Sequence, residues 1–216
     1  MSVDPLLVAY LSFTFILAVT PGSTTAVVVR NTLAGGRTAG LVTAAGAALG
    51  NTSQATAAGL GLAVLFARFP ASIVVLRVLG AIYLGWLGAS GLWRVVRHRD
   101  RRRDVLVGAE GEDDADVVLT RTASFREGLT VNLLNPAIST FYLVVVPSFL
   151  PAGAPRWYYA ALASMHIAMA FTCHGFWTLA FDRLREFFRV PAARRTLEAA
   201  TGIAMLALAV RVLLRS

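Results

Sequence analysis

The chain has 216 residues, of which 56% are hydrophobic and 15% charged, against about a quarter charged in an ordinary soluble domain. Polar groups that sparse cannot cover the apolar surface, so a bilayer is the economical solvent for much of it. All twenty basic residues are arginine, which excludes a Walker A phosphate loop and a Schiff-base or pyridoxal enzyme, since both need a lysine.

Six stretches carry the roughly 20 mostly apolar residues that a membrane-spanning helix requires. They cover 5–28, 38–66, 70–93, 126–150, 157–181 and 196–214. The first ten residues hold Asp4 and no positive charge, unlike the basic start of a signal peptide, so the first helix is expected to stay. That helix contains Thr20-Pro21-Gly22-Ser23-Thr24. Proline removes a backbone donor and clashes one turn back, and the glycine beside it loosens the turn further.

The second stretch carries Gly46 and Gly50, a small-residue pair suited to close helix packing. Behind them comes the polar patch Asn51-Thr52-Ser53-Gln54. Unpaired amides are costly in lipid, so Asn51 and Gln54 must face a partner helix or a substrate cavity. A tight turn at Phe69-Pro70 leads into the third stretch. Arg77 lies inside it, about seven residues from the outer end. Its stem either snorkels to the headgroups or holds a substrate carboxylate near the exit.

The one clear linker spans 98–124, with the run Arg99-Asp100-Arg101-Arg102-Arg103 followed by a cluster of acids. Dense mixed charge with few aromatics reads as a flexible, solvated segment. It divides the chain into units 1–97 and 125–216. The fourth stretch repeats the helix breaker, as Asn132-Leu133-Leu134-Asn135-Pro136.

The fifth stretch places His166, Met169 and Cys173 at i, i+3 and i+7, with Met165 and His174 beside them. One helical face thereby presents three soft-metal ligands. Alternatively, His166 or His174 carries a coupling proton, because no carboxylate is expected deep in any helix. Packed, hydrogen-bonded histidines are the plainer reading. Cys173 is the single cysteine, which excludes an internal disulfide and thiol-exchange electron transfer.

Arginine bias sets the orientation. The connections after the first, third and fifth stretches hold fifteen arginines: Arg30 and Arg37, eight from Arg94 to Arg126, and five from Arg183 to Arg195. The opposite side holds Arg68, Arg156, Arg211 and Arg215. The arginine-rich side is therefore expected in the cytoplasm, with the linker there and both termini outside. Trp157, Tyr158 and Tyr159 fit an outer aromatic belt, and Trp93, Phe187 and Phe188 an inner one. The net charge of +8 thus reports orientation and not a nucleic-acid face.

The expected fold is an all-α integral membrane protein with six transmembrane helices in two three-helix units. An odd helix count per unit forces the units into opposite orientations, the inverted repeat of many secondary transporters. Broken helices survive in a membrane where they line a cavity, and their exposed ends suit an ammonium and a carboxylate.

Several motifs resemble the LysE/RhtB-type amino-acid exporters: Thr20-Pro21-Gly22-Ser23, then Gly80-Ala81-Ile82-Tyr83-Leu84-Gly85-Trp86-Leu87-Gly88. So do Phe125-Arg126-Glu127-Gly128 leading to Asn132, Asn135 and Pro136, and Val146-Pro147-Ser148-Phe149 with Pro151. The resemblance runs over nearly the whole chain in the family's order. It departs at Ala137, where the family usually has lysine after Asn-Pro, and at Ser23, where proline is common. It implies a proton-coupled secondary exporter of an amino acid or derivative in the inner membrane, not an enzyme, with no cofactor. Thr20, Pro21, Gly22, Ser23, Asn51, Gln54, Arg77, Asn132, Asn135 and Pro136 are the substrate-binding candidates. The competing reading is a soft divalent-metal exporter through His166, Met169 and Cys173. Partners are a small molecule and the bilayer, no nucleic acid, with a homodimer left open.

Overall fold

The computed structural model describes residues 4–62, 74–75, 78–90, 92–93, 120–151, 153–185 and 191–214. Arg77, the Phe69-Pro70 turn, Phe187 and Phe188 lie outside the described residues, as does the linker except for 120–124. The described residues form helices and short connections, with no strand among them.

Helix α1 spans Pro5–Val19. Asp4 caps it, accepting from the Leu6 amide at 2.9 Å, and Pro5 fills the first turn, where no donor is missed. It closes at Thr20, whose hydroxyl donates to the Ile16 carbonyl at 2.6 Å. The helical run Ser23–Ala57 follows and is interrupted at Gly36, with φ 76° and ψ −172°. Asn31 Nδ2 donates to Thr43 Oγ1 at 2.9 Å, although twelve residues of straight helix would hold these positions about 18 Å apart. The chain therefore doubles back at Gly36, where a positive φ favours glycine. This defines α2 over 23–35 and α3 over 37–57, with α3 loosening into a π-helical turn, Ala58–Leu62.

Helix α4 covers Val78–Ser90. Helix α5, Arg121–Leu133, is capped by Thr120, whose hydroxyl accepts from the Ala123 amide at 3.1 Å. Helix α6, Pro136–Ser148, contains a π-helical segment at Phe141–Val145 and lies bent by 55° to α5. Helices α7, Arg156–Arg185, and α8, Pro191–Leu214, complete the described chain.

These boundaries correct the sequence reading at four places. The first stretch is two helices and runs on to residue 35, and the fourth begins at Arg121, inside the segment read as linker. The fifth continues to Arg185 and the sixth starts at Pro191. The cause is common to the last three: polar and charged turns extend helices beyond their apolar lengths, so hydropathy alone ends them early.

Among the described residues no single helix is long and apolar enough to cross a membrane. Two bent pairs, Pro5–Val19 with Ser23–Gly61 and Arg121–Leu133 with Pro136–Ser148, reach that length and composition together. The distribution of side chains is inverted relative to a water-soluble protein. Thr14, Asn31, Thr43 and Thr178 are fully buried, while Ile16, Trp86 and Phe176 are more than 60% exposed. Apolar groups outside and polar groups gathered inside suit a hydrocarbon surround.

Close backbone approach holds the polar interior together. A Cβ on Gly46 would strike the Phe125 carbonyl oxygen, and one on Gly128 would strike that of Thr43. Helices α3 and α5 therefore touch backbone to backbone, the packing that small residues permit. Gly50 lies against the Asn132 side chain, whose Oδ1 would be 2.7 Å from a Cβ there.

Candidate functional site: two helix breaks that meet

At the first break the chain passes through Pro21 and an extended Gly22, φ −127° and ψ −168°. Gly22 has no side chain to cap α2. The first amides of α2 are thus left without an intrahelical partner, at the positive end of the helix dipole. Ser23 and Thr24 are buried there, and the Thr24 hydroxyl has no partner.

At the second break Asn135 caps α6, its Oδ1 accepting from the Ala137 amide at 3.0 Å. The other end of the same amide donates from Nδ2 to Ser23 Oγ at 3.2 Å. One side chain thereby joins the two breaks, which stand 112 residues apart in sequence.

The polar patch of α3 turns toward the second break. Gln54 Nε2 donates to the Asn132 carbonyl at 2.7 Å, and its Oε1 accepts from the Ser139 hydroxyl at 2.6 Å. Asn132 Nδ2 donates to Asn51 Oδ1 at 3.1 Å. Thr52 and Ser53 are exposed and bond back to their own helix, at Ala48 and Leu49. Asn51 and Gln54 therefore satisfy the broken backbone and its neighbours, the interhelical alternative raised by the sequence.

A small cleft opens beside the joined breaks, lined by Ser23, Gly80, Tyr83, Leu84, Val131, Leu134, Asn135 and Pro136. Gly80 matters here because a Cβ on it would strike the Leu134 carbonyl, so α4 runs directly against the break. The lining offers one hydroxyl, one phenol and one amide among apolar side chains, and no ionised group. Thr20 and Pro21 are exposed at the edge of the first break.

The histidines lie apart from this cleft. His166 Nδ1 and the Tyr142 hydroxyl are 2.7 Å apart, both fully buried, and the ring packs on Phe141 with centroids 4.3 Å apart. His174 is buried further along α7, with Met169 and Cys173 half-buried. Among the described residues no three His, Cys, Asp or Glu side chains gather as a metal group.

One polar cluster escaped the sequence reading. Arg30 of α2 pairs with Glu127 of α5, their side chains 14% and 20% exposed. Asn31, fully buried, donates to Glu127 Oε2 at 2.8 Å and accepts from Arg30 at 2.9 Å and 3.0 Å. Glu127, at the very start of the fourth stretch in the sequence reading, stands six residues into α5 with its side chain 20% exposed. The Phe125-Arg126-Glu127-Gly128 motif was the signal available, but its partner lies 97 residues away.

Comparison with known proteins identifies the family. The family described as LysE type translocator matches residues 15–216. The chain is similar to a leucine efflux protein of Klebsiella pneumoniae, at 32% identity over 145 residues, covering 67% of this chain and 63% of that protein. A leucine efflux protein of an Enterobacter strain matches at 28%, covering 67% and 64%. An uncharacterized membrane protein, YrhP of Bacillus subtilis, matches at 25% over 206 residues, covering 95% and 97%. The match thus spans just under two thirds of the length of the two leucine efflux proteins. No solved structure matches.

Proposed function

The chain belongs to the LysE type translocator family of membrane proteins, and from that premise we propose that it exports a small neutral amino acid. It works as a proton-coupled secondary carrier in the inner membrane, not as an enzyme. The observation that carries this reading is the bond between Asn135 and Ser23, which brings two half-helix N-termini to one cleft. A substrate carboxylate suits the uncapped amides of α2 and the Asn135 amide. Leu84, Val131, Leu134 and Pro136 suit an aliphatic side chain, in keeping with relatives named leucine efflux proteins. Ala137, in place of the lysine usual in the resembling exporters, leaves the cleft without a fixed cation.

The inverted repeat belongs to the same proposal, with three-helix units 1–97 and 125–216 rocking about the cleft and the linker 98–124 on the cytoplasmic side. A single offset of 114 residues supports it. That offset carries the end of α1 at Val19 to the end of α5 at Leu133, and the Pro21 break to Asn135. It also carries Gly88 to Gly202. A Cβ on Gly88 would stand 2.8 Å from the Gly202 carbonyl oxygen, and one on Gly202 3.1 Å from that of Gly88. Mutual contact between equivalent residues is what a two-fold axis produces.

Counterflow in proteoliposomes tests the function. Preloaded leucine should accelerate uptake of labelled leucine, and neutral aliphatic amino acids should compete better than arginine or lysine. Accumulation of cadmium or zinc with no amino-acid counterflow would replace this reading by the metal exporter.

A further inference from the structure

We propose that Glu127 carries the coupling proton and that its pairing with Arg30 is the gate on the arginine-rich side of the transport path. This rests on the exporter reading above and names a residue for its coupling. Three described carboxylate side chains can be compared. Asp4 and Asp182 accept from backbone amides, of Leu6 and Arg37. Glu127 alone meets a cation, and the Arg30–Glu127 pair is the single ion pair among the described residues.

The pair closes a knot of three helices. Asn31 of α2 bonds at once to Arg30, to Glu127 of α5 and to Thr43 of α3. Thr43 Oγ1 in turn donates to the Ala39 carbonyl at 2.7 Å. The knot lies next to the cleft, because Val131, one turn beyond Glu127, lines it. Tyr83 of α4 also lines it and lies within Coulomb reach of Glu127, Arg30 and Arg126. Among the described residues, the side chains bonded to Glu127 are Arg30 and Asn31 of α2, with Tyr83 of α4 the titratable group nearby and α3 contributing the Thr43 hydroxyl through Asn31.

The repeat offset makes the pair informative. It carries Arg30 to Val144 and Glu127 back to Phe13, two apolar residues that are 60% and 45% exposed. The corresponding outer crossing of α1 and α6 is held by rings, with Tyr10 and Phe149 centroids 5.3 Å apart and Phe13 and Phe149 6.4 Å apart. Arginine bias accounts for a cation on this side, but it gives no reason for a largely buried carboxylate within a helix to meet it. A proton-operated fastening does. The histidines, by contrast, meet no ionised partner among the described residues, and His166 is already held by Tyr142.

The step balances simply. A proton that enters the cleft from the side opposite the arginines adds to a Glu127 carboxylate oxygen, an O–H bond forms, and the ion pair opens while Arg30 keeps its charge. Opening releases α2 from α5 on the arginine-rich side. When the pair re-forms the proton leaves to that side, against the direction of substrate export. A desolvated charge left without its partner is strongly unfavourable, so the pair acts as a two-position device and not a gradual one.

The test is Glu127→Gln, neutral and nearly isosteric, in proteoliposomes. Leucine transport driven by a pH gradient should fall by at least about tenfold, while leucine counterflow, which needs no net proton movement, should fall far less. Glu127→Asp should restore most of the gradient-driven transport. Without substrate, amide protection around Arg30 and Glu127, taken against the intrinsic exchange rate at each pH, should fall in wild type as pH falls, and should already be low and nearly constant with pH in Glu127→Gln. Equal loss of both transport modes in a folded Glu127→Gln protein overturns the proposal, as does full gradient-driven transport or a pH-dependent protection that survives the substitution. A wild type without amino-acid counterflow would overturn the exporter reading instead, and the exchange measurement would still decide the gate.

Discussion

Asn135 shows how one side chain can hold a site together. Its carbonyl oxygen caps α6 and its amide nitrogen reaches Ser23 across the break. Loss of a helix cap costs about 1 kcal/mol, and a buried polar group left unpaired costs about 1–3 kcal/mol. Asn135→Ala removes both interactions, whereas Ser23→Ala removes only the bridge. We expect each to weaken leucine binding about five- to a hundredfold, Asn135→Ala more. The double variant should be little worse than Asn135→Ala alone, because both act on one contact. Binding titrations on folded protein check this, and additive losses would mean that the bridge is incidental. Residues of this kind were legible in sequence because proline marks a break wherever it falls in a helix. Arg30 and Glu127 were not, because nothing local joins residues 97 positions apart.

At the scale of the elements, glycines decide which helices can approach. Gly128 has the Thr43 carbonyl where a Cβ would go, and that obstacle is backbone and cannot swing aside. Gly85, also helical, has nothing within 4 Å of the same position. Gly128→Ala should therefore cost about 1–3 kcal/mol by overpacking. Gly85→Ala should be neutral or stabilising by up to about 1 kcal/mol, through helix propensity. Thermal unfolding in detergent separates them, and equal midpoints would argue against the tight α3–α5 contact. The sequence located the apolar lengths of these helices but not their polar ends. It missed α5 starting at Arg121, since residues 121–124 read as linker until the Thr120 cap is known. The reversal at Gly36 was legible as a gap between apolar stretches, and its abruptness was not, since a positive φ leaves no mark in the residue order.

For the whole molecule, the testable feature is sidedness. Reporters placed in the 98–124 linker should mark the cytoplasm, and reporters fused after Ser216 the outside. A C-terminal reporter on the linker's side would rule out an odd number of spans in the second unit, and with it the inverted repeat. Composition was enough to expect a membrane protein, because hydropathy acts along the chain, and the orientation expected from arginine placement is what the reporters test. The proposed offset of 114 residues has no mark in the residue order, since it would set Pro21 against Asn135 and Arg30 against Val144.

The π-helical segment of α6 has a consequence of its own. A π turn holds one more residue than an α-helical turn, so Phe141–Val145 stores a surplus residue within α6. Moving that surplus by one position would rotate the residue it passes through about 100° and advance it about 1.5 Å, with the tally of backbone bonds unchanged. Phe141 and Tyr142, which grip His166, sit inside the segment. Helix α6 can thus repack against α7 in the manner of a caterpillar, one residue at a time, independently of any swing of the two halves.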